Sequence, residues 1–384
     1  MAKTTKYDVA VIGAGVFGAW TAHWLARSGR SVILLDAYGP ANSRASSGGE
    51  SRIIRMGYGG DDLYTRWSMR SLPLWVELFA RMDTPLFHRT GVLWIAPQTD
   101  RYFQESRAGL ERCGVKFEAL SHRDLATRYP QIAIDSDVIG ILEPDSGVLL
   151  ARRAVQAVVD EAVRSGVDYR QAAVQAPISG GTMDSIVTST GDTISAGHFV
   201  FACGPWLPAI FPELLGPRIF PSRQEIFFFG VPAGDTRFTS PALPTWLMLS
   251  DEYYGMPDIE SRGFKLAFDR HGPPANPDTL VRVVSPEGLA AARAYLARRF
   301  PALRNAPVVE TRVCQYENTS NGDFLIDRHP DFSNVWVIGG GSGHGFKHGP
   351  ALGEYAAARI QGSAAAEPRF SLETKNTSQH RQVF

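Results

Sequence analysis

The hydrophobic pattern is most regular at the start of the chain. Tyr7 to Ile12 is a short apolar, β-branched run, the pattern of a buried strand. Phe17, Trp20, Trp24 and Leu25 then recur at helical spacing, and Ser28-Gly29 supplies a stop. Ser31 to Leu35 is a second apolar strand, so this opening predicts a βαβ unit. Beyond Asp36, a loop of small polar residues runs from Ala41 to Ser51 and leads into Arg52-Ile53-Ile54-Arg55. A helix is predicted from Asp61 to Met82, kinked or split at Pro73, and an amphipathic helix from Leu150 to Ser165. Ser185 to Ala202 alternates like a hairpin turning at Gly191-Asp192. From Gln224 to about Val284 the chain is rich in strands, aromatics and prolines. Ser285-Pro286-Glu287 then opens a helix, with an N-cap serine and a proline at the first helical position, and it stops at Phe300-Pro301.

Two kinds of strand therefore alternate along the chain. Continuously apolar strands of the parallel type lie at the start and at Val335 to Ile338, while alternating, antiparallel-type strands fill the middle. The pattern predicts an α/β fold of two interwoven domains. A Rossmann-like nucleotide-binding domain takes 1–85, 147–220 and 308–364. A mostly antiparallel sheet domain for substrate takes 86–146 and 221–307. The polar stretch 365–384 reads as a C-terminal tail.

Composition narrows the partners. Lys and Arg number 39 and Asp and Glu 39, so no positive excess exists to draw a phosphate backbone, and nucleic-acid binding is excluded. Cys113, Cys203 and Cys314 are widely spaced, which speaks against a disulfide framework or a structural zinc site and fits a reducing compartment. The N-terminal MAKTTKYDVAVIGAG lacks the form of a secretory leader, and no segment reaches the ~18 apolar residues of a membrane span. A cytoplasmic protein with no metal and no membrane partner is expected.

Gly13-Ala14-Gly15-Val16-Phe17-Gly18 is a G-x-G-x-x-G placed directly after a strand and at the mouth of a helix. Gly13 suits the tight turn, Gly15 the approach of a pyrophosphate, and Gly18 close helix–strand packing. The helix N-terminus, at Val16 and Phe17, offers N–H groups to phosphates. Asp36, closing the second strand, suits ribose hydroxyls. The motif specifies a dinucleotide and leaves FAD and NAD both open.

Further motifs carry a resemblance. VIGAGVFG, ESRIIR, EPDSGVL (Glu143 to Leu149), FACGPW (Phe201 to Trp206), GFKLAF (Gly263 to Phe268), VCQYENTSNGDFLIDRHP (Val313 to Pro330) and GGGSGHGFKHGP (Gly339 to Pro350) occur in order. Together they resemble the D-amino-acid-oxidase-like flavoprotein superfamily, within it the branch of monomeric sarcosine oxidase, N-methyltryptophan oxidase, pipecolate oxidase and the fructosyl-amino-acid oxidases. The resemblance runs from Tyr7 to about Ile360. It implies a monomer that uses FAD to oxidise a C–N bond of a secondary amino acid to an imine, with molecular oxygen reduced to hydrogen peroxide.

It also implies roles for residues. Cys314 matches the cysteine that carries the flavin as a thioether. Ser46, Cys203, Gly204 and Trp206 match positions along the cofactor, and Gly343, His344, Gly345 and Phe346 match a loop beside the flavin ring. Lys347 and Arg55 match the pair that holds the substrate carboxylate, with charge-assisted hydrogen bonds that fix its orientation. Arg52 matches an arginine close to the flavin and, three residues from Arg55, falls on the opposite face if the segment is a strand. Lys265 matches a lysine that promotes reaction with oxygen, a fixed charge stabilising developing superoxide. Tyr254 matches a tyrosine near the substrate, with Tyr253 leaving the register open.

Three departures stand out. Sarcosine oxidases carry histidine where this chain has Gly48 and Asp269, and tyrosine where it has Phe268. A carboxylate in place of an imidazole points away from sarcosine, toward a bulkier secondary amino acid whose substituent Asp269 reads. Two other readings remain at this level: a dehydrogenase of the same substrates with a non-oxygen acceptor, and a non-catalytic flavin-binding protein. An NAD-dependent dehydrogenase leaves GSGHGFK and Cys314 unexplained.

Overall fold

The computed structural model describes residues 6–177 and 180–379, so 1–5 of the N-terminal reading and 380–384 of the expected tail lie outside it. The opening βαβ unit is present as Lys6–Ile12, Val16–Arg27 and Val32–Asp36, its two strands parallel. From Val9 to Ile12 and from Val32 to Leu35 these strands are continuously apolar because both faces of their sheet are covered. The sheet runs in the order Leu325–Arg328, Val335–Gly339, Thr193–Phe201, Lys6–Ile12, Val32–Asp36, Asp168–Gln171. Ser185–Val187 adds an antiparallel edge to Thr193–Phe201 through a turn in which Gly191 has φ +86°.

The second sheet has eight strands. Its order is Val308–Thr319, Ile219–Phe229, Phe264–Phe268, Tyr253–Met256, Thr245–Met248, Val92–Pro97, Val138–Glu143, Glu118–Leu120. Every pairing is antiparallel except Thr245–Met248 with Val92–Pro97. A third, small sheet joins Arg52–Ile54, Gly147–Leu149 and Phe87–His88. The architecture is the expected α/β one, parallel and antiparallel layers built from interleaved segments. Val308–Thr319, grouped from sequence with the nucleotide-binding segments, is paired along its length with Ile219–Phe229 in the larger sheet.

Several local expectations need correction. The helix Asp62–Arg81 runs unbroken through Pro73. Pro73 is on the exposed face, and the carbonyl it leaves without a donor belongs to Met69, itself exposed, so water can complete it. The strand-rich region starts at Ile219 and ends at Phe268. Asp269 to Val284 is irregular, because Pro273, Pro274 and Pro277 cannot donate to a ladder. The polar stretch after Ala364 is no free tail over its described part. It folds into two short 3₁₀ turns, buries Phe370 completely, and pairs Arg369 with Asp61 and Asp323. The helix Pro286–Arg299 starts as read, with the Ser285 hydroxyl accepting from Gly288 N. Among the described residues no helix is long and apolar enough to cross a membrane.

Candidate active site

The glycine turn is shaped by close contacts. Gly13 sits at φ +106°, which side chains other than glycine's rarely adopt, and a Cβ on Gly18 would lie 1.9 Å from Gly13 O. Gly18 therefore packs the turn and lines no cavity. A Cβ on Gly15 would meet only Ser47 Oγ at 3.6 Å, because Gly15 faces open space. Asp36 fixes the turn from the next strand: its carboxylate accepts from Ala14 N at 2.7 Å and Tyr38 N at 2.8 Å. In front of this turn is a cavity of about 420 Å³. It is lined by Gly13, Gly15, Val16, Phe17, Asp36, Ser46, Arg52, Cys203, Gly204, Trp206, Cys314, Gly343, Gly345 and Phe346, brought together from seven separated segments.

One face of the large sheet covers the inner end of this space. In a strand alternate residues share a face, so Lys265, Ala267 and Asp269 point one way from Phe264–Phe268 and its continuation. Tyr254 lies opposite Ala267, and Ile226 flanks it on the other side. Two strands away Cys314 and Tyr316 share the same face. Tyr253 points to the other side and stacks on Tyr295 at 3.8 Å, so Tyr254 is the one of the two that faces the cavity.

Below this face is a second cavity of about 60 Å³, lined by Arg52, Arg55, Tyr254, Lys265, Asp269, Tyr316, His344 and Lys347 with Ile53, Leu247, Gly343 and Phe346. Arg52, Tyr316, Gly343 and Phe346 belong to both cavities. Arg52 donates to Cys314 Sγ at 3.2 Å and to Ser46 O at 2.8 Å. Lys265 Nζ donates to Ser51 O at 2.9 Å and Ser51 Oγ at 3.2 Å. Burial first, then the nearby Arg52 charge, pushes the Lys265 ammonium well below the ordinary lysine range. Lys347 Nζ donates to Tyr58 Oη at 2.6 Å and His344 O at 3.1 Å. Arg55 donates to Gly57 O and lies over the rings of Tyr58 and Trp94. Burial pushes the Asp269 carboxyl up to about 6, against the pull of Arg55 and Lys347. Burial likewise raises the Tyr254 hydroxyl.

The sequence profile of the FAD dependent oxidoreductase family matches residues 8–359. The chain belongs to this family. N-methyl-L-tryptophan oxidase of Salmonella agona is 31% identical over 368 residues, covering 92% of this chain and 94% of its own. Monomeric sarcosine oxidase of Bacillus sp. strain B-0618 is 30% identical over 361 residues, 91% of each. The crystal structure of L-proline dehydrogenase from P. horikoshii superposes with a TM-score of 0.82 over 96% of this chain and 97% of that one; at 21% identity this shows a shared fold.

The cavity residues of the oxidoreductase fit FAD. Ser46 Oγ is buried without a hydrogen-bond partner among the described residues, on the wall that also carries the glycine turn, and the Cys314 thiol borders the same space. Cys203 lines it too but donates to Ile12 O at 3.4 Å, and burial raises its thiol strongly. Four placements differ from those read in the sequence. His344 lines the smaller cavity and not the cofactor cavity, while Lys347 lines the smaller cavity together with Arg55. Arg52 and Arg55 face the same cavity, because the strand ends at Ile54 and Arg55 begins an irregular stretch. Gly48 lines neither cavity, and a Cβ there would meet Asn42 O at 2.0 Å, so this turn admits no side chain. Phe268 is exposed against Tyr253.

Other residues come to light only in the structure. Glu143 accepts from Met56 N at 2.7 Å, Gly57 N at 3.1 Å, Trp94 Nε1 at 2.9 Å and Ser146 Oγ at 2.6 Å, and so fixes the chain just after Arg55. Glu317 accepts from Gly340 N at 2.9 Å and lines the large cavity, and burial pushes its carboxyl up to about 7. Tyr316 and Tyr58 complete the polar lining and supports of the small cavity. Tyr316 and Glu143 lie within the motifs VCQYENTSNGDFLIDRHP and EPDSGVL, but nothing local gave either a role, and nothing local pointed to Tyr58.

Proposed function

We propose that the oxidoreductase oxidises the C–N bond of an N-substituted amino acid to an imine and passes the electrons to oxygen, with hydrogen peroxide as product. The observation that carries this reading is the continuity of the two cavities through Arg52, Tyr316, Gly343 and Phe346. A carboxylate between Arg55 and Lys347 would hold the rest of a substrate against the place where a flavin ring fits. The relatives' names, N-methyl-L-tryptophan oxidase and sarcosine oxidase, support the substrate class. Asp269 in place of a histidine argues for a substrate other than sarcosine.

Bound flavin supplies the two-electron acceptor; the chain supplies position and charge. Gly13, Gly15, Val16 and Phe17 would form the close backbone wall at the pyrophosphate, with Gly13 N already donating to Leu35 O at 2.7 Å and Val16 N to Ser47 Oγ at 3.1 Å, and Asp36 would face the ribose. Ser46, Cys203, Gly204, Trp206, Gly343, Gly345 and Phe346 enclose the remainder. The Cys314 thiol is placed to form the covalent link, with Arg52 beside its sulfur. Arg55 and Lys347 orient the carboxylate, and Tyr254 closes the pocket over the amine. Lys265 stands ready for oxygen: an anion forming beside its poorly solvated amine would favour the protonated form and be stabilised by that charge. In this reading the parallel sheet and its helices form the FAD domain and the eight-stranded sheet the substrate domain. The enzyme works as a monomer in the cytoplasm.

The test is anaerobic mixing of the flavin-loaded protein with secondary amino acids, primary amines and fructosyl-amino acids while the flavin absorbance is followed. Bleaching by a carboxylate-bearing secondary amine, with peroxide on admission of air, is the expected result. Bleaching that persists in air would show a dehydrogenase, and bleaching by none would overturn the proposal. For the link, Cys314→Ala should release all flavin on acid precipitation while wild type retains it.

A further inference from the structure

The small cavity has an uneven charge inventory. Arg52, Arg55, Lys265 and Lys347 line it, and Asp269 is the one carboxylate among its lining residues. An amino acid enters as a zwitterion, with a carboxylate and an ammonium on the same carbon. If Arg55 and Lys347 take the carboxylate, the ammonium is left among cations, and only Asp269 offers an opposite charge. The ammonium also lacks the lone pair that must assist departure of hydrogen from the neighbouring carbon. Resting on the function proposed above, we infer that Asp269 pairs with the substrate ammonium and accepts its proton before oxidation.

The transfer is balanced: one N–H bond breaks, one O–H bond forms on Asp269, and no electrons change hands. The hydrogen and electron pair that leave later come from a carbon next to the neutral nitrogen. The surroundings of Asp269 suit the task. Tyr316 Oη donates to Asp269 Oδ1 at 3.2 Å, leaving the second oxygen for the substrate. Arg55, Lys347, Tyr316 and Glu252 act on the carboxylate, Tyr254 and His344 line the same cavity, and Glu252 is itself paired with Arg270. Its two cations keep the Asp269 carboxylate charged near neutrality while its burial leaves it basic enough to take a proton.

Two dead-end ligands separate this role from a structural one. Isobutyrate offers the carboxylate alone. 2-Aminoisobutyrate adds the ammonium but has no hydrogen on its α-carbon and no N-alkyl group to oxidise. Their dissociation constants are read from the flavin spectrum of the flavin-loaded enzyme at about pH 8, in wild type and Asp269→Asn. The variant should loosen 2-aminoisobutyrate and tighten isobutyrate, each about tenfold, as an attraction is lost with one and a repulsion with the other. With a reducible secondary amino acid, bleaching by the variant should climb with pH toward the ammonium's own pKa, whereas wild type levels off sooner. Equal weakening of both ligands, or no change in either, would overturn the inference. If secondary amino acids bleach wild type while ligand preference ignores Asp269, only this inference falls. If none bleaches it, the functional proposal falls, and with it this inference.

Discussion

Lys265 shows how one side chain links stability to chemistry. Its amine is buried between two strands and depressed well below the ordinary lysine value of 10.5, chiefly by burial. The unfolded chain binds a proton there that the native state holds poorly, so this residue's contribution to stability rises with pH until 10.5 is reached. Lys265→Met removes the penalty. It should raise the melting temperature at neutral pH, by an amount that shrinks as the melts are repeated toward about pH 10. The same variant should slow reoxidation of reduced flavin by air roughly 10²- to 10³-fold, the usual loss when a charge-stabilising donor is removed, and leave anaerobic bleaching little changed. A gain in melting temperature that grew with pH would contradict the sign worked out here. Lys265 was legible because GFKLAF put a lysine where both neighbours are apolar. The shared face of Lys265, Ala267 and Asp269 also follows from period-two alternation.

At the scale of elements, Arg55 is aimed by Glu143, which opens the EPDSGVL motif but whose partners no local pattern marks. Glu143 ends the strand Val138–Glu143, and from there gathers Met56, Gly57, Trp94 and Ser146 around one buried carboxylate. The sequence places Glu143 beside Pro144, far from Met56, so its partners become visible only when the strands are assembled. Arg52 and Arg55 show the converse. Strand alternation separates them, but the strand stops at Ile54 and the irregular stretch held by Glu143 brings Arg55 to the same cavity. Glu143→Ala strips four hydrogen bonds to a charged acceptor, and about 3 kcal/mol or more of stability should be lost on urea unfolding. In the folded fraction, isobutyrate should bind more weakly while flavin content is unchanged. Unchanged isobutyrate binding would separate Glu143 from the aim of Arg55.

At the scale of the whole molecule, the signals that were legible are those complete within one short segment: the βαβ unit, the capped helix Pro286–Arg299, the glycine loops. What was not legible depends on segments meeting from far apart, and the C-terminal stretch is the plainest case. Its polar composition reads as a tail, yet one aromatic and one arginine dock it. Phe370 is fully buried against Trp67 and Phe324, and Phe324 stacks on His344 at 4.9 Å. Arg369 bridges Asp61 and Asp323, and Asp323 in turn accepts from Tyr64 Oη at 2.9 Å. The segment thus braces the back of the loop whose front carries Lys347. Phe370→Ala leaves a cavity under that loop and should cost about 3–5 kcal/mol on urea unfolding. Phe268→Ala, at an exposed site, should cost no more than about 0.5 kcal/mol. Because the cavity opens behind His344, Phe370→Ala should also weaken isobutyrate binding, while bound flavin, held in addition by the glycine turn, Ser46 and Cys314, should stay in place. If the stretch merely covers a surface, stability will fall and ligand affinity will not; a joint loss would make it a working part of the substrate site.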